Sequence, residues 1–197
     1  SKLTNGNIVV VYESGITDGS RNVKAQILDQ SGSKLGSELL LTTTSTDQRE
    51  VAVAGLNNGN WVSTWQSKNQ DGDAEGVYFR IFNKAGDPLG SETLVNTTTN
   101  GNQTFPSIAA LNDGDFLISW SSDQVSDNDF VIFGQRFNSE GATVGAEFKM
   151  NEFTSELQKH GKLAVKSNGE LVATWISAGQ DGDGNGIFAQ IFDTGTS

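Results

Sequence analysis

Residues 56–65 read LNNGNWVSTW, and this stretch decides the fold because the chain contains three further copies of its pattern. The copies are LTNGNIVVVY at residues 3–12, LNDGDFLISW at 111–120 and KSNGELVATW at 166–175. Their glycines stand at positions 6, 59, 114 and 169, which gives steps of 53, 55 and 55 residues. Self-similarity at such a period is typical of repeat architectures, in which each repeat is one supersecondary unit.

Other features keep their place within each repeat. A second hydrophobic run follows, then a Gly-Ser-Glu or Gly-Ala-Glu tripeptide at residues 36–38, 90–92 and 145–147, and then a glutamine that recurs as Gln48, Gln103 and Gln158. The Asn-Gly or Asp-Gly pair in every copy is a strong signal for a two-residue hairpin turn. The pattern predicts four short antiparallel strands per unit, which in the second unit span residues 51–56, 61–65, 77–82 and 92–96.

The arrangement of these units follows from the faces of their strands. The second strand is apolar or small on both faces, whereas a sheet with one wet face alternates more cleanly. A four-stranded sheet covered on both faces by equivalent sheets is a propeller blade. We therefore predict an all-β, β-propeller-like fold in one domain, residues 1–197, built from four repeat units of four-stranded antiparallel blades at about 1–49, 50–104, 105–159 and 160–197. The terminal blades are predicted to be incomplete, and an open stack of sheets is the alternative.

The composition narrows the classes of function. The 197 residues include no cysteine, so the chain has neither disulfides nor thiolate metal sites. The net charge of -11 argues against nucleic acid as a partner, because phosphate binding needs clustered lysine and arginine. No apolar run approaches the length that membrane insertion by a helix needs.

The sharpest motif is an acidic, glycine-rich loop between the second and third strands. It reads QDGDAEG at residues 70–76 and QDGDGNG at residues 180–186. Carboxylates at this spacing, on a loop that glycine allows to curl, offer several oxygen ligands to one hard cation such as Ca²⁺. We predict calcium sites at Asp71, Asp73, Glu75, Asp181, Asp183 and Asn185, with weaker equivalents at Asp18, Asp123, Asp127, Asn128 and Asp129. The alternative is a solvated hairpin turn, since Asp-Gly also simply makes turns.

Catalysis has little support in the sequence. His160 is the single histidine, no nucleophile motif stands near it, and the other units have no histidine at its position, which favours a surface residue. Trp65, Trp120 and Trp175 could stack on sugars, but their equivalent strand positions favour a core between blades. The recurring glutamines precede the first strand, so we expect their amides to satisfy backbone groups there.

The order of Gly59, Trp65, the Gln-Asp-Gly-Asp loop, the Gly-Ser-Glu tripeptide and Gln103-Thr104-Phe105-Pro106 resembles tandem repeats of large secreted bacterial surface proteins. Many of these belong to the haemolysin-type calcium-binding and adhesin class. The resemblance covers almost the whole chain and implies an extracellular or cell-surface location. The leading hypothesis is therefore a non-enzymatic module of a bacterial surface or adhesin protein, with Ca²⁺ in its Asp-Gly-Asp loops and a glycan or surface protein as ligand.

Three alternatives stay open. The first is a lectin-like, glycan-binding propeller, which needs exposed aromatic side chains such as Tyr78 or Phe79. The second is a self-assembling structural module that pairs through its incomplete terminal units. The third is a glycosidase-like enzyme, which needs two carboxylates facing each other across a pocket.

Overall fold

The computed structural model describes residues 1–17, 20–126 and 129–193, and these residues form fourteen strands and no helix. The first sheet contains β1 (Ile8–Thr17), β2 (Ser20–Leu28) and β3 (Lys34–Leu40). The second contains β4 (Gln48–Gly55), β5 (Trp61–Lys68), β6 (Glu75–Phe82) and β7 (Thr93–Leu94). The third contains β8 (Gln103–Ala110), β9 (Phe116–Ser126), β10 (Asp129–Phe137) and β11 (Thr143–Lys149). The fourth contains β12 (Gln158–Val165), β13 (Leu171–Ala178) and β14 (Asn185–Phe192).

The four sheets follow one another along the chain, and every strand pairs antiparallel with its neighbour in sequence within its sheet. We call the sheets blades 1 to 4. Blades 2 and 3 have four strands, and blades 1 and 4 have three each. The prediction of an all-β, propeller-like fold with incomplete terminal blades is confirmed.

The first strand of each complete meander lies innermost. Strands β4 and β12 both contact β8, so the inner strands of blades 2, 3 and 4 stand side by side. Blade 1 begins with β1, the equivalent of β5, and this strand contacts β4. Small side chains in these strands allow the close approach, as the sequence predicted. This arrangement brings the beginnings of the inner strands together around one axis.

The recurring tryptophans form the core between blades. Trp65 packs with Val9 and Val23 of blade 1, Trp120 with residues of blade 2, and Trp175 with residues of blade 3. Their exposed fractions are 0%, 0% and 5%. The prediction of a blade-to-blade core is confirmed, and these rings are not stacking platforms for sugars.

The recurring glutamines are fully buried and close the connections that lead into the inner strands. Gln103 donates to the carbonyl of Asn100 at 3.0 Å and accepts a hydrogen bond from the amide of Asn96 at 3.2 Å. Gln158 makes the equivalent pair of bonds with Ser155 and Asn151. The predicted role of these amides is confirmed.

The recurring tripeptide ends in a glutamate that ties the connecting loops together. The carboxylate of Glu92 accepts hydrogen bonds from the backbone N–H and hydroxyl of Thr43 and from the amide of Gln70. Glu147 repeats the arrangement in blade 3, with Thr97 and Gln124. The fourth strand of blade 2 is shorter than the predicted residues 92–96, because Glu92 serves these loops while only 93 and 94 lie in the strand.

Blade 4 has one face that its neighbours do not cover. Ile187 and Ile191 on β14 are 74% and 56% exposed. The residues equivalent to Ile187 in blades 2 and 3, Val77 and Ile132, are fully buried beneath the next blade. Self-association through terminal units stays a prediction. Within the described ranges, no helix is long and apolar enough to cross a membrane.

Candidate functional site

Two sets of loops meet at one end of the blades, which we call the upper end. One set, residues 41–47, 95–102 and 150–157, leads into the inner strands, and the other joins the second strand of a blade to its third. Thr44 donates a hydrogen bond to Gln70 at 3.3 Å, and the backbone N–H of Gly101 donates to Asp73 at 3.0 Å. The acidic loops therefore lie at the same end as the beginnings of the inner strands.

The three acids of the unit 2 loop have separate partners. The hydrogen bond from Gly101 lowers the pKa of Asp73, while Asp71 accepts a weak bond from Asn96 at 3.4 Å. Glu75 begins β6, is buried, and forms an ion pair with Arg49 at 2.8 Å. Burial raises the pKa of Glu75 despite this pair. The loop thus distributes its carboxylates instead of directing them to one point.

The unit 4 loop is more open. Asp181, Asp183 and Asn185 are exposed, and the backbone N–H of Asp183 donates to Asp181 at 3.3 Å. A cavity of about 400 Å³ is lined by Asp183, Asn185 and Glu156 together with glycines of the loop.

Calcium binding by these loops stays a prediction. In the part of the chain that the structure describes, no group of three or more His, Cys, Asp or Glu side chains is arranged to hold a metal ion. Asp18, Asp127 and Asn128 lie outside the described residues. Asp123 instead accepts two hydrogen bonds from Asn102, at 2.6 and 2.8 Å. Calorimetric titration of calcium into the protein and into an Asp71→Asn, Asp181→Asn variant tests the prediction.

A second constellation, which the sequence did not reveal, lies two residues beyond the recurring glutamines. The pairing register of each inner strand shifts at this point. Glu50, Phe105 and His160 occupy the same position in the three strands, with φ of 54°, 54° and 58°. Positive φ is uncommon for residues other than glycine, and such strained positions cluster at functional sites.

These three residues lie together at the upper end of the axis. The rings of Phe105 and His160 are in contact, with centroids 3.9 Å apart and planes at 42°. Burial lowers the pKa of His160, Lys159 lowers it further, and the nearby charge of Glu50 opposes both. Unit 1 contributes Glu13, whose carboxylate accepts the backbone N–H of Glu50 at 2.8 Å. We call Glu13, Glu50, Phe105 and His160 the axial cluster.

An ion-pair network supports the cluster between blades 1 and 2. Arg21 binds Glu13 at 3.2 Å and Asp47 at 3.1 Å, while Arg49 binds Asp47 at 3.3 Å and Glu75 at 2.8 Å. Burial alone would raise the pKa of Asp47, but its hydrogen bonds and ion pairs with Arg21 lower it overall. The two arginines thus offset the negative charge of Glu13, Asp47 and Glu75 between blades 1 and 2.

Comparison with known proteins bears on this fold. No model of a known protein family and no curated protein matches the chain. Among solved structures, an endo-arabinase from Bacteroides thetaiotaomicron matches 97% of this chain and 72% of its own, with a TM-score of 0.64 and 13% identity. An α-L-arabinanase from Penicillium chrysogenum, complexed with arabinobiose, matches 98% and 62%, with a TM-score of 0.72 and 13% identity.

A third similar structure is the family 93 glycoside hydrolase α-L-arabinofuranosidase of Fusarium graminearum with arabinobiose. It matches 97% of this chain and 60% of its own, with a TM-score of 0.64 and 9% identity. At these identities the likeness establishes the fold, a β-propeller of the kind found in these enzymes.

The comparison corrects two predictions. The hypothesis of a non-enzymatic surface or adhesin module is wrong, because the structures that share this fold are glycoside hydrolases. The prediction that the chain is not an enzyme is wrong for the same reason. It rested partly on His160, whose counterparts in blades 2 and 3 are not histidine but Glu50 and Phe105. Only stacking of the inner strands brings the three together, so no single repeat contains the site.

The structure also corrects the choice of aromatic residues for sugar binding. Tyr78 and Phe79 were expected to be exposed in a glycan-binding propeller, but they are 6% and 1% exposed. Both lie in β6 between blades, where they fill the core. Phe105 at the upper end of the axis is only partly buried.

Proposed function

We propose that this chain is a glycoside-hydrolase-like propeller that binds a polysaccharide at the axial cluster and hydrolyses its glycosidic bonds. The observation that carries the proposal is the convergence of Glu13, Glu50, Phe105 and His160 from four repeat units. The fold shared with arabinan-active enzymes, two of them with arabinobiose bound, supports a pentose-containing glycan as the ligand.

Glycoside hydrolysis needs two carboxyl groups beside the bond that breaks. Glu50 is exposed at the axis, and its carboxylate makes no hydrogen bond to any described residue, so it is free to meet a sugar. Glu13 is the second carboxyl group, held by Arg21 and by the backbone of Glu50. One of these groups would donate a proton to the glycosidic oxygen as its bond to the sugar carbon breaks. The other carboxylate would stabilise the positive charge that develops on the sugar and take the proton from the water molecule that adds to the same carbon.

The aromatic pair supplies the surface on which a sugar ring can lie. The apolar face of a sugar packs well against an aromatic ring, and hydroxyl groups at its edge need polar partners nearby. Phe105 offers the ring, and His160 in its neutral form offers one donor and one acceptor nitrogen. The positive φ of both residues turns their backbone out of the regular strand and presents these side chains at the upper end.

The test uses debranched arabinan, arabinoxylan and xylan as substrates and arabinobiose as the binding probe. We expect release of reducing sugar by the unmodified protein, a loss of at least about a hundredfold in Glu50→Gln, in keeping with the typical contribution of one acid–base group, and weaker binding in His160→Ala. Glu170→Gln, at the opposite end of blade 4, is the matched control and should keep full activity.

The outcomes separate two forms of the proposal. Binding of arabinobiose without hydrolysis of any substrate would reject the enzyme and retain the lectin-like, glycan-binding alternative. Absence of both binding and hydrolysis would overturn the proposed function. Equal loss in Glu50→Gln and Glu170→Gln would reject the axial cluster as the site.

A further inference from the structure

A second cavity lies at the lower end of the blades, opposite the axial cluster. It has a volume of about 430 Å³ and opens between blades 2 and 3. Its floor is formed by Phe79 and Ile81 of β6. Its rim carries polar side chains from three loops and from β7: Asn58, Asn60, Ser91, Thr93, Ser139 and Glu140. We call it the interblade groove.

The repeat explains why the groove is open. The strand registers pair Ala25 with Leu39 in blade 1, Phe79 with Thr93 in blade 2, and Gly134 with Phe148 in blade 3. Thr93 therefore stands where the other two blades have a large apolar side chain. In blade 2 the large side chain of the pair is that of Phe79, on the inner of the two strands. Phe79 is 1% exposed and leaves the space beside Thr93 unfilled.

The contacts between blades show the effect of having threonine, not a large apolar residue, at position 93. Between blades 1 and 2, Leu39 reaches the hairpin of the next blade so closely that a Cβ on Gly86 would lie 2.3 Å from Leu39 Cδ1. Between blades 2 and 3, the atoms nearest to a Cβ on Gly141, which stands at the equivalent place, belong to Phe79 and Ile81, at 3.3 Å. Thr93 is not among these nearest contacts, and the cavity lies above this apolar floor.

The lining of the groove fits an uncharged ligand rich in hydroxyl groups. Amides and hydroxyls surround an apolar floor, Glu140 is the one charged side chain among the lining residues, and no cation is present among them. The side chains of Asn60, Ser91 and Thr93 make no hydrogen bond to another described residue, so their polar atoms are free for a ligand. The volume lies within the range of small-molecule sites, roughly 300–1,000 Å³.

We propose that the interblade groove is a second binding site for a neutral saccharide, separate from the axial cluster. The proposal rests on the proposed function for the class of ligand, a glycan, but not for the site. Two glycan sites at opposite ends let one molecule hold two segments of a polysaccharide, and this raises its effective affinity for the polymer without any new contact at the axis.

The test uses arabinotriose and xylotriose as neutral probes and a trimer of galacturonic acid as the charged comparison. Chemical shifts of a ¹⁵N-labelled sample report the site directly, because the side-chain amides of Asn58 and Asn60 lie in the groove and the backbone amides of Phe105 and His160 lie in the axial cluster. We expect a neutral trimer to shift the groove signals and the acidic trimer to leave them unchanged.

Thr93→Leu is the decisive variant, since it copies the residue that blade 1 has at this position and should fold with an unchanged Tm. It should weaken binding at the groove at least tenfold and leave the axial signals unaffected. Thr143→Leu, on the exposed outer strand of blade 3, is the matched control and should bind like the unmodified protein. Asn60→Ala provides a second variant if Thr93→Leu does not fold.

Several results would overturn this proposal. They are groove signals that no neutral trimer shifts, equal binding of the acidic trimer, or unchanged groove binding in Thr93→Leu. The failure of the proposed function is distinguishable: if no substrate is hydrolysed, the groove signals would still respond to a neutral trimer and would lose that response in Thr93→Leu. A protein that binds only at the groove would retain this inference and reject the axial site.

Discussion

The phenyl ring of Phe105 lies against the imidazole of His160, with ring centroids 3.9 Å apart, although the two residues belong to different repeat units. Each is the third residue of an inner strand, and each has a positive φ. The contact joins blades 3 and 4 at the upper end of the axis. It makes the histidine part of a packed surface, and this has a consequence for pH dependence.

Stability should fall as the pH is lowered below about 6.5, the ordinary pKa of histidine. Burial lowers the pKa of His160 in the folded protein, so the unfolded chain takes up a proton first. The contribution of neutral His160 to the free energy of unfolding is complete above pH 6.5 and is lost as the pH falls toward the lowered pKa. Urea unfolding between pH 5.0 and 7.5 measures it, and His160→Phe, which copies blade 3, should flatten the curve. Because the chain has one histidine, an unchanged curve in the variant would contradict the assignment.

Arg49→Leu should destabilise the protein by about 2 kcal/mol at pH 7, a typical cost for losing a hydrogen bond to a charged group. The reason is that Glu75, whose pKa burial already raises, loses its cation. A carboxyl with a raised pKa stabilises the fold below its unfolded pKa and loses that contribution as the pH rises, so part of the loss should be recovered near pH 5. Guanidinium unfolding at both pH values measures this. Lys166→Leu, which removes an exposed ion pair with Glu170, should leave the stability almost unchanged at either pH, because water screens exposed pairs.

Gln103→Leu should cost about 2 kcal/mol or more, because it leaves the carbonyl of Asn100 and the amide of Asn96 without their buried partner. The matched control is Gln30→Leu, at an exposed site with one long bond of 3.5 Å to Asn5. Thermal unfolding of both variants measures the difference. Equal stability of the two would show that the buried amide does not fix the connection.

Trp120→Ala should cost about 3–5 kcal/mol, the usual range for removing a large buried ring. Trp120→Phe should cost much less, because the indole N–H has no hydrogen-bond partner and only packing is lost. The ring of Phe133 stacks on Trp120 with centroids 6.1 Å apart, and only the phenylalanine variant keeps an aromatic ring at this position. Denaturant unfolding compares the two substitutions. A phenylalanine variant as unstable as the alanine variant would reveal a role for the indole nitrogen.

The repeat period made much of the fold predictable. The glycine and the aromatic residue six positions after it recur in all four units, and a buried glutamine recurs in three, as Gln48, Gln103 and Gln158. Each keeps its type because it makes the same packing or hydrogen-bonding contacts wherever it occurs. The strands and the core between blades could therefore be predicted from these recurring residues. The length of β7 was overestimated, because Glu92 binds loops that lie in other parts of the sequence.

The axial cluster was not predictable from any one motif. Glu50, Phe105 and His160 differ in type, and a search for repeated residues passes over a position that varies. A signal was nevertheless present, since each stands two residues beyond a recurring glutamine. The acidic loops were found in the sequence, but the separate partners of Asp73 and Glu75, which are Gly101 and Arg49, are distant in the chain.

Several hydrogen bonds between neighbouring blades join two residues that lie almost the same number of positions apart in the sequence. Gly55 donates to Ser1 across 54 positions, Asn57 to Leu111 across 54, and Leu163 to Ser107 across 56. These distances match the period of the repeat, so an in-frame duplication of one period would copy a blade together with both halves of its attachments. Such an array can grow by a whole blade in one genetic event, without any residue of the existing interfaces having to change.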